Sequence, residues 1–261
     1  MEPVYTPVIG TVLLGFRAFA WDLRFTGVDH IPATGGGVIA TNHVGHLDFT
    51  FVGAGVRQQD KRLLRFLAKK ELFDHRLAGP VMRGMKHIPV DREGRASQSI
   101  NAGDDALRAG ELIGMFPEST ISRSFVPLPG KTGAARMALD TGTPLIPGAV
   151  WGSQRILTKG RPRNLQRHIV VTVDFGPPID TSPGRDVHEV TADLMAAIEG
   201  LVDKAQRSYP QQPAGDDDRW WLPAHLGGTA PTPQEALELA RAEAQTRAER
   251  RAAREADQPD S

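Results

Sequence analysis

There is no cysteine in the 261 residues. Disulfides, thiolate metal sites and a cysteine nucleophile are excluded, so any chemistry on a thioester must run without a thiol of the protein's own. Neither sign of charge is in excess: 31 Lys+Arg face 31 Asp+Glu. Nucleic-acid binders are strongly basic with clustered charge, and no nucleic-acid partner is expected here. The balance conceals an asymmetry, with 25 Lys+Arg against 21 Asp+Glu before Pro210 and 6 against 10 from there on. A mildly basic body leaves room for a local anion pocket.

Long hydrophobic runs are also missing. Val4 to Ala20 is apolar but broken by Thr6, Pro7, Thr11 and Arg17, short of the about 20 mainly apolar residues a membrane span needs. Glu2 precedes it and Phe16, Arg17, Phe19 and Trp21 end it, unlike a secretory signal, which is basic before its apolar core and small-residued after it. The stretch reads as an amphipathic helix over residues 1–20. Its apolar positions Val8, Val12, Leu13, Phe16 and Phe19 suit either insertion at a membrane surface, with Arg17 near phosphates, or packing on the domain.

From Trp21 to Phe175 short β-rich runs alternate with helical stretches. The strands expected are Asp22–Phe25, Val38–Thr41, Leu64–Ala68, His87–Val90, Leu112–Phe116, Leu145–Val150 and Ile169–Phe175. Leu77–Met85, Arg95–Ala109 and Thr132–Asp140 read as helices, with Gly110 and Gly142 as C-terminal stops. A further helix, with Val187, Val190, Leu194, Ile198, Leu201 and Val202 in phase, closes the core. This alternation implies an α/β single domain over residues 21–209, its mixed, largely parallel sheet flanked by helices. Residues 210–261 read as a linker and a polar C-terminal helix, the latter opened by the capping box Thr232-Pro233-Gln234-Glu235 and expected to be exposed or in weak contact with a partner. The adjacent indoles of Trp220 and Trp221 call for cover, by docking onto the domain or by an interfacial membrane contact.

The most informative stretch is Thr41-Asn42-His43-Val44-Gly45-His46-Leu47-Asp48-Phe49. Five positions separate His43 from Asp48, a poor match to one helix face, so the chain must bend for the two to meet. A strand ending at Asn42 and a helix starting near Gly45 would supply the bend. An aspartate on one imidazole nitrogen fixes the tautomer and leaves the other nitrogen to take a proton. Downstream, Phe116-Pro117-Glu118-Ser119-Thr120 with Ser122, Arg123 and Ser124 forms a strand end suited to an anionic group. Arg92 ends another strand, and Lys69 and Lys70 a third. If these strands are parallel, His43, Lys69, Arg92 and Glu118 share the rim where α/β sheets bind ligands. A metal at His43, His46 and Asp48 lacks supporting ligands. His87 reads as a strand residue, and Ser153 lacks the glycine pattern of a nucleophile elbow.

The order His43-x4-Asp48, Ile88-Pro89-Val90-Asp91-Arg92, Phe116-Pro117-Glu118, Pro144-Leu145-Ile146-Pro147 resembles the four blocks of the glycerolipid acyltransferases, and within them the bacterial 1-acylglycerol-3-phosphate acyltransferases, over about Asp22 to Ile179. The resemblance implies acyl transfer from acyl-CoA or acyl carrier protein to a hydroxyl of 1-acylglycerol 3-phosphate, giving phosphatidic acid, with no further cofactor and no metal. It implies a peripheral or monotopic enzyme on the cytoplasmic face of the cell membrane, with the membrane surface and a lysophospholipid as partners. Carried over by position, His43 is the base and Asp48 its orienter. Arg92 contacts the phosphate, Glu118, Ser119 and Thr120 help hold the acceptor, and Pro144 and Pro147 flank the acyl donor; apart from that correspondence, Lys69, Lys70, Arg92, Arg123 and Lys131 are the cations available to a phosphomonoester. Two positions depart from the pattern. Gly45 stands where the family commonly has serine, and Glu118-Ser119-Thr120-Ile121 replaces the usual Glu-Gly-Thr-Arg, leaving Arg123 as a substitute guanidinium. The same chemistry on glycerol 3-phosphate or another lysophospholipid is the alternative. A catalytically silent lipid-binding protein is a third reading, against which the intact His43 and Asp48 argue.

Overall fold

The computed structural model describes residues 2–90 and 96–256. Seven strands form one sheet: β1 (Asp22–Thr26), β2 (Gly37–Thr41), β3 (Leu64–Lys69), β4 (Ile88–Val90), β5 (Leu112–Met115), β6 (Leu145–Trp151) and β7 (Val170–Phe175). Their spatial order is β1-β7-β6-β2-β5-β3-β4. Every pairing is parallel except β6 with β7, so the sheet is mixed and largely parallel, as the alternation implies.

β2 and β6 are buried along their whole length, and their side chains alternate between two cores. Val38, Ala40, Leu145 and Ala149 pack on one face against α5 (Ala96–Arg108), α6 (Gly133–Thr141) and α7 (Val187–Arg207). Ile39, Ile146 and Val150 face the other side, against α1 (Tyr5–Ala18) and α2 (Asp48–Val56). This is the signature of a strand covered on both faces by crossover helices. Gly110 and Gly142 adopt the left-handed conformation at φ 86° and 65°, terminating α5 and α6 as expected. Two short helices, α3 (Lys70–Asp74) and α4 (Ala78–Gly84), join β3 to β4; α3 is too short to show a period, and the sequence contains no sign of it. His87 precedes β4, and its Nδ1 accepts from the Phe66 N–H at 3.0 Å. Burial, with Arg65 nearby, holds its pKa down at about 4, which keeps that nitrogen an acceptor.

The apolar face of α1 is used internally. Tyr5, Ile9 and Phe16 are buried, and Phe16 stacks on Phe51 with ring centroids 4.7 Å apart. Val12 and Leu13 pack on the same core. Phe16 is therefore not available for insertion into a membrane, and of the two uses open to this helix, packing on the domain accounts for most of its apolar positions. Residues 210–231 are likewise more than a linker. Trp221 is completely buried, with the Arg155 guanidinium 4.4 Å above its ring and Tyr209 edge-on at 5.6 Å. Trp220 lies partly buried on the same core. Last comes α8 (Pro233–Ala256), opened by the capping box: the Thr232 N–H donates to Glu235 Oε2 at 2.7 Å, and the Glu235 N–H returns to Thr232 Oγ1 at 3.3 Å.

If the tail is an integral part of the core, Trp221→Ala should lower unfolding stability by about 3–5 kcal/mol, the range for truncating a large buried aromatic. Urea denaturation measures this, and a loss under about 1 kcal/mol would mean the tail is only loosely applied.

Candidate active site

β2 is the central strand, flanked in parallel by β5 and β6. In chain order the path from β2 leads to β3 on one side of it, whereas β5 leads across to β6 on the other. Such a reversal opens a crevice at the strands' carboxyl ends, and the loops leaving β2, β5 and β6 there carry the site.

After β2, Asn42 prolongs the pairing with its side chain: Nδ2 donates to the Val150 carbonyl at 3.1 Å, and the Val150 N–H donates to Oδ1 at 2.7 Å. The chain then turns, and α2 begins at Asp48, three residues later than the bend the sequence suggests. Asp48 is fully buried. Its Oδ2 accepts from the Val44 N–H at 2.7 Å and the Gly45 N–H at 2.9 Å, and lies 2.8 Å from His43 Nδ1. Its Oδ1 accepts from the hydroxyl of Ser153, in the loop after β6. The carboxylate thus folds the loop around itself and fixes the imidazole as the Nδ1–H tautomer. Nε2 has no hydrogen-bond partner among the described residues, and the His43 side chain keeps 18% of its surface exposed. Phe116, just past β5, stacks on the ring at 4.0 Å and 11°.

Glu118 was assigned by resemblance to the acceptor. Instead it points inward: Oε1 accepts from the His43 N–H at 2.8 Å and Oε2 from the Leu128 N–H at 2.8 Å. It supports the base's loop from below, because both oxygens are committed to backbone donors in a site 6% exposed. Burial pushes its pKa up to about 8, outweighing the two N–H bonds that favour the anion. Ser119 occupies the family's glycine position at φ 58°, a left-handed turn that glycine adopts without cost and serine does not. Ile121, where the family carries arginine, is 4% exposed and faces the interior. Ser122 and Ser124 are buried and bonded to each other at 2.9 Å, and the Ser122 N–H donates to the His43 carbonyl at 2.8 Å.

The other assigned residues separate. Thr120 and Arg123 lie together on this loop: Thr120 Oγ1 accepts from Lys159 Nζ at 2.7 Å, and Arg123 and Lys159 both bind the Glu243 carboxylate of α8. Lys159, on the loop after β6, was missed; its only sequence signal is a positive charge close behind a strand end. Lys69 sits exposed at the end of β3, close enough to His46 to help, after burial and His43, hold that imidazole's pKa down. Arg92 and Asp91 lie outside the described residues. Pro147 is buried within β6, its carbonyl accepting from the Gly176 N–H at 2.8 Å. Pro144 is exposed at the opposite, entering end of that strand, its carbonyl bonded to the Val38 N–H at 2.9 Å. Among the described residues no cluster of His, Asp and Glu could hold a metal ion.

A family model described as acyltransferase matches residues 22–151. The chain is similar to a 1-acyl-sn-glycerol-3-phosphate acyltransferase of Bacillus subtilis (strain 168), 34% identical over 136 residues, 51% of this chain and 66% of that protein. It is 35% identical over 133 residues to one of the same name from Salmonella typhimurium, 49% of this chain and 53% of that protein. Its fold matches the solved 1-acyl-sn-glycerophosphate (LPA) acyltransferase, PlsC, from Thermotoga maritima at TM-score 0.62 and 21% identity, over 76% of this chain and 78% of that one. The chain thus matches about two thirds of the Bacillus protein's length and about half of the Salmonella one's.

Because Glu118 keeps its proton in the fold up to about pH 8 but loses it near 4.5 when unfolded, the folded state binds the extra proton between those values. Stability must therefore fall as pH rises through that window. Glu118→Gln removes this ionisation, so its urea midpoint should vary less between pH 4.5 and 8 than that of the parent. Equal slopes would mean that Glu118 is not the group responsible.

Proposed function

Because the chain belongs to the acyltransferase family, we propose that it moves a fatty acyl group from a thioester to the free hydroxyl of 1-acylglycerol 3-phosphate, forming phosphatidic acid. The observation that carries this reading is the oriented imidazole, with His43 Nδ1 on Asp48 and Nε2 without a partner among the described residues, at the carboxyl ends of parallel strands.

In this reading Nε2 takes the proton of the acceptor hydroxyl as its oxygen attacks the thioester carbonyl. The C–S bond breaks, the ester forms, and the imidazolium returns its proton to the leaving thiolate. Asp48 stabilises the imidazolium between those steps, as the carboxylate does in the serine-protease triad. The protein contributes no covalent intermediate, which suits a chain without cysteine. Bringing acceptor oxygen and carbonyl carbon into line is itself worth several orders of magnitude. Ser153 acts through Asp48 as a positioning residue, and Glu118 does the same through the His43 backbone. Acyl-CoA and acyl carrier protein are both chemically suitable donors, since each presents the same thioester.

The acceptor's phosphate calls for cations, and among the described residues Arg123, Lys159 and Lys69 lie behind the strand ends on this side. The buried Ile121 in place of arginine favours, as a second reading, a lysophospholipid with a different head group. An acceptor panel with palmitoyl-CoA, its products resolved by head group, separates the two. His43→Ala should reduce thiol release by at least about 10³-fold with folding retained; unchanged turnover would sink the assignment of the base.

Membrane contact fits the exposed apolar side chains Leu14 on α1, Leu72 on α3, and Leu77 and Val81 on or beside α4. No helix among the described residues is long and apolar enough to cross a membrane. We place the protein at the cytoplasmic face of the cell membrane, held by such side chains. The double variant Leu77→Asp/Val81→Asp should sediment with anionic phospholipid vesicles several-fold less than the parent, while turnover of a water-soluble short-chain acceptor stays unchanged. Equal sedimentation would remove this surface from consideration.

A further inference from the structure

Glu243 is the acidic residue through which α8 reaches the site. Arg123 Nη2 donates to its Oε1, and Lys159 Nζ donates to its Oε2 at 2.7 Å. Lys159 also donates to Thr120 Oγ1 at 2.7 Å. The two cations come from two loops, one after β5 and one after β6, and meet on a single carboxylate, while Thr120 joins the cluster through Lys159. Gly160, at φ 73°, makes room for the arginine: a Cβ there would stand 3.0 Å from Arg123 Nη1.

Both loops are tied to the segment that carries the imidazole. The Ser122 N–H donates to the His43 carbonyl, the Thr158 hydroxyl donates to the Val44 carbonyl at 2.6 Å, and the His46 N–H donates to the Leu157 carbonyl at 2.8 Å. In a 1-acylglycerol 3-phosphate the free hydroxyl and the phosphorus are linked through only two carbons and one oxygen. A base for the one and a cation pair for the other must therefore sit on adjoining segments, as these do.

A guanidinium and an ammonium that hold a carboxylate are equally fitted to a phosphate oxygen, because both are compact anions that accept charge-assisted hydrogen bonds. A phosphomonoester carries about −1.5 to −2 at neutral pH, and so has the stronger claim on two cations. We propose that Thr120, Arg123 and Lys159 form a phosphomonoester subsite, and that the Glu243 carboxylate is its resident competitor. On this view α8 is a latch that the acceptor's phosphate displaces. The inference rests on the acceptor reading above, and it adds Lys159 as a specificity determinant and Glu243 as a filter against weak anions.

The full-length chain and its Glu243→Gln variant test this. The variant should bind inorganic phosphate, by titration calorimetry, about three- to fivefold more tightly, the worth of a part-exposed ion pair. Adding Lys159→Gln should abolish that gain. With lysophosphatidate as acceptor, the variant's acceptor KM should fall by a similar factor while kcat and the donor KM hold. In the unmodified protein, saturating phosphate should speed amide exchange across residues 233–249; this arm needs no variant to fold. Unchanged or weaker phosphate binding in the variant, a raised acceptor KM, or unchanged or slower exchange in α8 would each overturn the latch. Should the unmodified protein turn over no lysophospholipid at all, the proposed activity falls, and the phosphate and exchange measurements still decide whether the carboxylate occupies an anion site.

Discussion

Everything at the strand ends depends on one buried carboxylate. Among the described residues no arginine or lysine is paired with Asp48; four donors converge on it instead: two backbone N–H groups, an imidazole and a serine hydroxyl. An anion without such donors would cost several kcal/mol at this depth. The carboxylate thus organises the loop after β2, orients the imidazole, and draws in the loop after β6. Because β5 and β6 flank β2 in fixed parallel register, with Ala40 beside both Met115 and Pro147, the partners arrive at the same height. Chemistry at Nε2 is a consequence of how this charge is solvated.

Around that centre the ionisable groups divide in two. Buried ones are used as backbone acceptors: Glu118 receives two N–H groups and His87 one. Their shifted equilibria reflect the cost of charge in an apolar surround. Half-exposed ones are matched in ion pairs, as Arg123 and Lys159 are with Glu243. The first group holds geometry and the second meets solvent. That division explains why Glu118, although conspicuous in its motif, belongs with the scaffold.

The central strands were legible because they are short, nearly continuous apolar runs, β2 broken only by its final Thr41 and β6 by no polar residue. His43 and Asp48 were legible because they are near in sequence and their chemistry requires a bend. Ser153 was not: its partner stands 105 positions upstream, and a serine after a strand has no pattern of its own. Lys159 and Glu243, 84 positions apart, are equally silent, since a surface helix rich in Glu and Arg looks solvated until its docking is seen. Resemblance names Glu118 and Pro147 by position and is silent on their burial and on the backbone groups they bond. Local sequence reports neighbours along the chain and says little about which way a side chain turns.

Gly45 has no side chain, and a Cβ there would stand 3.0 Å from the Ser153 hydroxyl oxygen and 3.1 Å from Asp48 Oδ1. A side chain at position 45 would grow toward both, and one of them would have to give by a few tenths of an ångström. Asp48 Oδ1 takes its hydroxyl from the loop of another strand, so a larger residue at position 45 would be accommodated by shifting that serine or the carboxylate that orients the imidazole.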